Sequence, residues 1–294
     1  MARKLKEAKT YQEQIDNLIE NHGLIITDRA IAEDILSNVN YYRLSAFGIG
    51  LKQAVDKEKY QTGITLEHIY HLYQFDSELR NILTPLIEWI EIAFRTKMAY
   101  QLAMAYGPEG YRDNSHFIKK TDNNGNDIFQ KTIDQLDTEI RHQTNLPCVK
   151  HHIVEYGGHF PVWAAVELFS FGMICSLYSV CTNQDKKKVA TEFQVTPKHL
   201  HGWMMTLLEL RNMCAHYNRI YNMFFKQTPY LEPKYRMYSG NKLFPKLLVI
   251  KTLVKKDMWD QFVNRLQNLL RKYPEVKVSF MGFPKEWLTV LKSV

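Results

Sequence analysis

The side chains best suited to carry out a reaction are those of an arginine and a histidine with four residues between them, Arg211 and His216. A histidine suits proton transfer near neutral pH, because its ordinary pKa of about 6.5 leaves both protonation states populated. An arginine stays charged and offers a planar set of donors that matches phosphate oxygens. RNA carries its own nucleophile, the 2′-hydroxyl, so a fixed cation and a proton-transfer group form a minimal set for cleaving RNA without a metal.

An apolar helical pattern leads into this pair and predicts the helix that positions it. The pattern repeats at intervals of three and four residues, and its members are Leu200, Trp203, Met204, Leu207 and Leu208. Arg211 falls next on that stripe, at the end of a buried face, where a charge needs a partner or a phosphate. On a continuing helix, Asn212, His216 and Arg219 share a different face.

The spacing leaves the geometry of the pair open. On one straight helix Arg211 and His216 point in different directions, so either the helix bends here or two copies of the chain assemble the pair. Both arrangements favour a cleft in a homodimer. A structural interpretation also fits the spacing, with the arginine as an ion-pair partner or helix-end charge and the histidine as a satisfied interior or surface residue.

Composition indicates a folded, basic protein. The chain has 294 residues, of which 45% are hydrophobic and 13% aromatic, enough for one large domain or two packed ones. The formal net charge of +7 favours a polyanionic partner. Nucleic acid is the commonest such partner, and a membrane surface fits the charge as well.

Neither of the longest apolar runs predicts a membrane span, because those at 83–94 and 162–178 are interrupted by charged residues or glycine. The basic segment at 1–14 is not followed by the apolar stretch of a secretory signal, so we expect a cytoplasmic protein. The cysteines lack the paired spacing of zinc sites, so we expect neither disulfides nor structural zinc. Cys214, beside the motif, is expected to be a packing residue rather than a nucleophile.

Hydrophobic periodicity predicts an all-α chain, with capping residues at several helix starts. The predicted helices span 10–21, 28–39, 66–83, 86–106, 127–144, 162–181, 189–193, the segment from 197 to the Arg211 motif, and 259–273. Pro85 is expected to open the fourth of them. A polar loop at 107–126 and junctions at Pro147 and at Gly157 and Gly158 separate others.

A basic, tyrosine-rich segment between Lys226 and Lys256 predicts an RNA-contacting surface. In such surfaces rings stack on bases and cations meet phosphates. The candidate residues for RNA binding are Lys234, Tyr235 and Arg236. The alternative is a solvated loop whose tyrosines pack against the core.

Six sets of residues, distributed in order along nearly the whole chain, form a wider pattern. They are Asn40 to Ser45; Tyr73 to Asp76 with Leu79 and Arg80; Glu91 with Arg95; Pro161 to Trp163 with Glu167, Phe171 and Gly172; Arg211 to His216 with Arg219 and Asn222; and Met281 to Pro284 with Trp287. Together they resemble the bacterial abortive-infection family of the AbiD/AbiF type.

That family is similar to the wider HEPN superfamily, all-helical proteins whose Arg-x4-6-His motif forms a metal-independent RNA-cleaving site across a dimer. The resemblance implies catalytic roles for Arg211 and His216 and supporting roles for Asn212 and Arg219, without a metal or cofactor. It also implies three regions: an N-terminal helical extension, a HEPN-like helical core and a basic C-terminal helical region packed on that core. These regions are 1–64, 65–226 and 227–294.

The same resemblance singles out further polar residues. Glu91 and Arg95 match family positions on the preceding helix, where the carboxylate either orients the catalytic pair or belongs to a buried structural ion pair. Asp76 and Arg80 have the spacing of a helical pair, and we assign them to structure. The residues at 41–43 either line an RNA channel or pack.

These observations predict a metal-independent endoribonuclease that acts as a homodimer in defence against phage. His216 serves as general base or acid, Arg211 holds and neutralises the scissile phosphate, and the products carry a 2′,3′-cyclic phosphate and a 5′-hydroxyl. One alternative is a non-catalytic RNA-binding or toxin-antitoxin module that captures a structured small RNA. Another is that the pair positions a nucleotide for transfer to a partner protein.

Overall fold

The structure is a computed structural model that describes residues 7–293. Over that range it contains helices and isolated β-bridges but no strand, which confirms the all-α prediction. The α-helices, in chain order, are α1 (Tyr11–Glu20), α2 (Arg29–Asn38), α3 (Tyr41–Ser45), α4 (Leu66–Tyr106), α5 (Ile128–His142), α6 (Pro147–Glu155), α7 (Val162–Ala165), α8 (Phe171–Val180), α9 (Asn183–Glu192), α10 (Pro197–Ala215), α11 (Leu243–Leu253), α12 (Lys256–Lys272) and α13 (Trp287–Lys292). Within the described range, none of them combines the length with the apolar character that crossing a bilayer requires.

The chain folds into two compact units, each assembled from separate stretches of sequence. Among the described residues, the first unit contains 7–83, 213–224 and 260–293, and the second contains 84–212 and 225–259. This division differs from the three contiguous regions predicted, because α4 and α10 each contribute residues to both units. A boundary inside α10 assigns Arg211 to the second unit and His216 to the first.

Capping side chains fix the first two helices of the first unit. Thr10 and Glu13 form a capping box at α1, in which the Thr10 N–H donates to the Glu13 carboxylate at 2.7 Å. Asp28 caps α2 by accepting the N–H groups of Ala30 and Ile31. Both helices therefore begin within one residue of their predicted starts.

α4 is one continuous helix of 41 residues, so the predicted break at Pro85 is wrong. A proline inside a helix lacks the N–H donor and crowds the carbonyl four residues earlier, at a cost of about 3 kcal/mol. Leu83, Leu86 and Ile87 beside it are buried, and each such burial contributes about 1.5 to 3 kcal/mol. Burial of the neighbouring side chains therefore outweighs the local signal.

Three parts of the second unit differ from their predicted bounds. The single helix predicted at 162–181 is two helices, α7 and α8, because Ser170 caps a new start by accepting a backbone N–H of α8 at 3.2 Å. Pro147 opens the helix α6 rather than marking a junction. Thr182 caps α9, so the basic run 186–188 lies on a helix.

α11 corrects the expectation of an RNA-contacting surface that extends from 226 to 256. Nine of its eleven residues are buried, so this helix supplies core to the second unit. Even Lys246 is completely buried, where its Nζ donates to the Gln227 carbonyl at 2.6 Å and lies 3.6 Å from a carboxylate oxygen of Glu209. Because the segment also contains lysines, its sequence was interpreted as a basic surface and the apolar helix was not predicted.

Candidate active site

α10 ends one residue before His216, and a Schellman motif fixes this ending. The Asn218 N–H donates to the Met213 carbonyl at 2.9 Å, and the Tyr217 N–H donates to the Cys214 carbonyl at 3.3 Å. Tyr217 adopts the left-handed conformation, with φ +55°, that the motif requires and that glycine usually supplies. The helix therefore stops at the histidine instead of continuing through it.

This ending corrects the shared helix face expected for three motif residues. Asn212 is exposed on the last turn of α10, whereas His216 follows the helix. Arg219 lies beyond the Schellman motif, and its guanidinium donates to the Ala46 carbonyl in the first unit. Burial lowers the pKa of Arg219, and the Asp76 carboxylate acts in the opposite direction. The Arg219 side chain is thus engaged by backbone.

A buried carboxylate holds the backbone that follows α10. Asp76 on α4 is completely buried, and its Oδ1 accepts the N–H groups of Ile220 and Tyr221 at 2.8 and 2.6 Å. Arg80, one turn further along α4, pairs with the other carboxylate oxygen and donates to the Asn218 carbonyl at 3.3 Å. The structural role predicted for this pair is confirmed, but its spacing does not reveal which segment it holds.

Arg43 in α3 holds the same segment at another point. Its guanidinium donates to the Tyr217 carbonyl and lies 6.0 Å from the centroid of the Tyr73 ring. Together with Asp76 and Arg80, it binds four backbone groups between 217 and 221. The segment after His216 is therefore fixed by side chains of the first unit.

His216 itself is exposed. Among residues 7–293, no group forms a hydrogen bond or an ion pair with its imidazole. An exposed imidazole without a partner is available to accept or donate a proton at a bound molecule. The backbone beside it is fixed while the ring is unengaged, which suits a proton-transfer residue.

Arg211 is held by a chain of contacts within the second unit. Its Nε lies 3.4 Å from Oε2 of Glu91, and its side chain is 41% exposed. The other carboxylate oxygen of Glu91 pairs with Arg95, whose Nη1 donates to the Val166 carbonyl at 2.9 Å. Glu91 thus forms an ion pair with Arg95 and contacts Arg211 at the same time.

The contact with Glu91 leaves the outer donors of Arg211 available. Its Nη1 makes only a long contact, 3.5 Å, to Oδ1 of Asn212. The Glu91 side chain is only 10% exposed, so solvent screens its charge less than that of a surface acid. Glu91 therefore fixes the inner edge of the guanidinium while the Nη groups remain for an anion.

The residues predicted to bind RNA lie on a 3-10 helical turn of the second unit, Pro233–Tyr238. Lys234 and Arg236 are exposed, whereas Tyr235 is 6% exposed. The burial of this ring corrects the expectation that it stacks on a base. Arg236 instead donates from Nη2 to the hydroxyl of Tyr230 at 2.7 Å. Tyr230 is exposed and lies in the same tyrosine-rich segment, although it is not among the three candidate residues.

Neither a metal-binding cluster nor a disulfide is present in the described part of the chain. Within residues 7–293, no three histidine, cysteine, aspartate or glutamate side chains are grouped to hold a metal ion. The four cysteines form no disulfide. Cys214 is buried, as predicted for a packing residue, and burial raises the pKa of the Cys181 thiol to about 12.

The sequence that includes Glu91, Arg211 and His216 also matches a known family. The sequence model for Abi-like proteins matches residues 34–222, which include all of α4 and α10. Comparison with curated proteins and with solved structures finds no match. Because the matched region is more than half of the 294 residues, the chain belongs to the Abi-like protein family.

Proposed function

We propose that this protein is a metal-independent endoribonuclease of the HEPN type that acts in abortive infection against phage. Membership of the Abi-like family supports the defence role. The catalytic proposal depends on one observation at the end of α10. There Arg211 is held by Glu91, and His216 is exposed without a partner among residues 7–293.

The reaction uses the ribose beside the scissile phosphate as its nucleophile. A general base takes the proton of the 2′-hydroxyl, and the 2′-oxygen forms a bond to phosphorus. The bond from phosphorus to the 5′-oxygen breaks, and that oxygen takes a proton from a general acid. The products are a 2′,3′-cyclic phosphate and a 5′-hydroxyl, and the reaction consumes neither water nor a cofactor.

This reaction needs one group that accepts a proton and one that donates a proton. The motif of each chain brings one histidine, His216, so we propose a homodimer in which two copies supply the base and the acid. A dimer also accommodates the spacing, because Arg211 and His216 acting on one phosphate need not belong to the same copy.

Arg211 has the electrostatic role. Negative charge increases on the phosphate oxygens in the transition state, and a cation already fixed there lowers the barrier. The Glu91 contact at Nε supports this role, since it leaves the Nη groups for the phosphate. Removing one preorganised donor of this kind typically lowers the rate by about 10²- to 10³-fold.

Cleavage of a labelled RNA in EDTA by wild type, His216→Ala and Arg211→Ala tests the proposal. We expect each variant to be slower by about 10²- to 10⁴-fold, and the wild-type products to end in a 2′,3′-cyclic phosphate. His142→Ala, at an exposed histidine of α5, is the matched control and keeps full activity. Equal cleavage by wild type and both motif variants would overturn the proposal.

A non-catalytic RNA-binding or toxin-antitoxin module is the second candidate. The net charge of +7 and the exposed cations Lys234 and Arg236 favour it. In this case wild type binds a structured small RNA with an affinity that falls steeply as salt rises, but does not cleave it. The same binding by the His216→Ala and Arg211→Ala variants identifies this second function.

A further inference from the structure

A half-exposed tyrosine of the second unit has two cations over its ring. Tyr230 is 49% exposed, and its ring centroid lies 5.8 Å from Nζ of Lys198 and 5.5 Å from Cζ of Arg236. Both cations are exposed. Neither forms an ion pair with an acidic side chain within residues 7–293, so their charges remain available to an anionic partner.

Tyr230 is held at its backbone and at its side-chain hydroxyl. The indole Nε1 of Trp203, a buried residue of α10, donates to the Tyr230 carbonyl at 2.7 Å, and Arg236 donates to its hydroxyl at 2.7 Å. His199 stacks on the ring with a centroid distance of 4.9 Å, and its Nδ1 lies 3.0 Å from Oγ1 of Thr196. The aromatic surface is therefore held in place before any ligand arrives.

We propose that Tyr230 is a stacking platform for a base of single-stranded RNA, with Lys198 and Arg236 contacting the adjacent phosphates. This inference rests on the proposed function and adds an RNA contact outside the Arg211 motif. Unpaired bases present flat faces to aromatic side chains, and every base offers such a face. Stacking on one ring raises affinity by about 5- to 150-fold.

The fixed ring favours RNA over an anionic lipid surface. Lipid headgroups attract lysine and arginine through charge alone and need no ordered aromatic face beside them. A base gains from a ring that is already immobile, because the loss of side-chain freedom on binding is then small. The hydrogen bond from Arg236 to the hydroxyl and the stack with His199 restrain the ring, and the hydrogen bond from Trp203 restrains the backbone that carries it.

Binding is measured with a fluorescent, unstructured oligouridine by anisotropy at several salt concentrations, on full-length protein carrying His216→Ala to prevent turnover. Tyr230→Ala is expected to weaken binding by about 5- to 150-fold, and Tyr230→Phe to keep most of the affinity because it retains the ring. The double change Lys198→Ala with Arg236→Ala lowers the slope of log affinity against log salt by about 1.4, two phosphate contacts at about 0.7 each.

Two controls match these changes elsewhere in the second unit. Tyr100→Ala removes a ring that is 58% exposed and has no cation over it within residues 7–293. The double change Lys119→Ala with Lys150→Ala removes two other exposed charges. Photocrosslinking with 4-thiouridine RNA and peptide mapping then locates the contact, which we expect on the peptide containing Tyr230.

The outcomes separate this inference from the proposed nuclease. If wild type cleaves RNA and Tyr230→Ala binds RNA no more weakly than Tyr100→Ala does, the platform is overturned and the nuclease proposal is retained. If binding depends on Tyr230 but wild type does not cleave RNA, the platform is retained and the nuclease proposal is overturned. If Tyr230→Ala no longer binds phosphatidylglycerol vesicles but still binds RNA as before, the surface binds lipid and the platform is overturned.

Discussion

Two carboxylate and arginine pairs with the same spacing lie on α4, and they have different partners. Asp76 and Arg80 belong to the first unit, and Glu91 and Arg95 to the second. Asp76 is completely buried and accepts backbone N–H groups, whereas Glu91 retains some exposure and contacts the guanidinium of Arg211. One carboxylate therefore fixes a loop and the other contacts a candidate catalytic side chain, although the sequence spacing is identical.

The difference in burial has an energetic consequence. Removing one member of a fully buried ion pair leaves an uncompensated charge, which typically lowers stability by about 3 to 5 kcal/mol. The Arg95 and Glu91 side chains retain 15% and 10% exposure, so loss of this pair is expected to affect stability somewhat less than loss of the fully buried one. We therefore expect changes at Asp76 to appear mainly as lost stability, and changes at Glu91 mainly as lost activity.

Asp76→Asn is the change with the largest expected effect on stability. The amide still offers an oxygen to the backbone, but it leaves the buried Arg80 guanidinium without its anionic partner. We expect the free energy of unfolding to fall by about 3 to 5 kcal/mol. Denaturant unfolding measures this loss, and hydrogen exchange is expected to show faster exchange of the Ile220 and Tyr221 amides.

Glu78→Gln on the same helix is the matched control for Asp76→Asn. Glu78 contacts Lys272 and Tyr273 near the surface, so its loss is expected to cost no more than about 1 kcal/mol. Equal destabilisation by the two substitutions would show that burial of the Asp76 pair does not govern its contribution.

Glu209 gives the second unit a clamp similar to that of Asp76. Its two carboxylate oxygens accept the N–H groups of Lys226 and Gln227 at 2.7 and 3.0 Å, and the buried Lys246 lies beside it. Burial lowers the pKa of Lys246 to about 8 from 10.5, partly opposed by Glu209. The unfolded chain therefore binds this proton more tightly than the folded chain does.

Stability is consequently expected to rise with pH between about 8 and 10.5, by up to about 3 kcal/mol from this group. Lys246→Met removes that dependence, and Lys150→Met, at an exposed lysine, retains it. Denaturant unfolding at pH 7.5 and pH 10 gives the comparison. Identical pH dependence in wild type and Lys246→Met would contradict the assignment to Lys246.

Glu91→Gln tests whether the carboxylate that contacts Arg211 contributes to activity. Without the carboxylate charge, Arg211 loses the partner that holds its Nε, and a misplaced cation stabilises the transition state less well. We expect the kcat for RNA cleavage to fall about tenfold, with KM little changed and a smaller loss of stability than for Asp76→Asn.

Arg95→Met is the control for Glu91→Gln. It removes the second arginine but leaves the contact between Glu91 and Arg211 in place. We expect it to lower kcat less than Glu91→Gln does. Wild-type cleavage by Glu91→Gln would show that the contact with Arg211 is structural only.

Local signals in the sequence account for the helix starts but not for every continuation. Thr10 and Asp28 lie at the predicted helix starts and cap α1 and α2, because a capping side chain bonds N–H groups two or three residues away. The predictions at Pro85 and for the basic segment containing α11 were wrong, and in both places the neighbouring apolar side chains are buried. A pattern of nearest neighbours contains no information about that burial.

The candidate site shows the same division. The sequence alone identifies the residue types and spacing of Arg211 and His216, and also the i,i+4 spacing of Asp76 and Arg80. The target of Asp76 is not, because its hydrogen bond to Ile220 joins residues 144 positions apart. The Schellman motif was also missed, since its left-handed position is occupied by Tyr217 instead of glycine.

Tyr217→Gly has the smallest expected effect on the free energy of unfolding. It tests how firmly the segment after His216 is held in place. A tyrosine with φ +55° is strained by about 1 to 2 kcal/mol relative to glycine, and the greater freedom of glycine in the unfolded chain offsets part of this gain. We expect a net stabilisation of about 0.5 to 1 kcal/mol. Tyr217→Ala retains the Cβ atom and is therefore expected to gain nothing.

The activity of Tyr217→Gly bears on the role of Asp76. Asp76, Arg80 and Arg43 bind backbone groups of the segment, and the substitution leaves those groups in place. If these contacts are sufficient to position His216, the glycine variant cleaves RNA at the wild-type rate while unfolding at a higher denaturant concentration. A large fall in kcat without loss of stability would instead mean that the tyrosine side chain, which is exposed, takes part in binding the substrate.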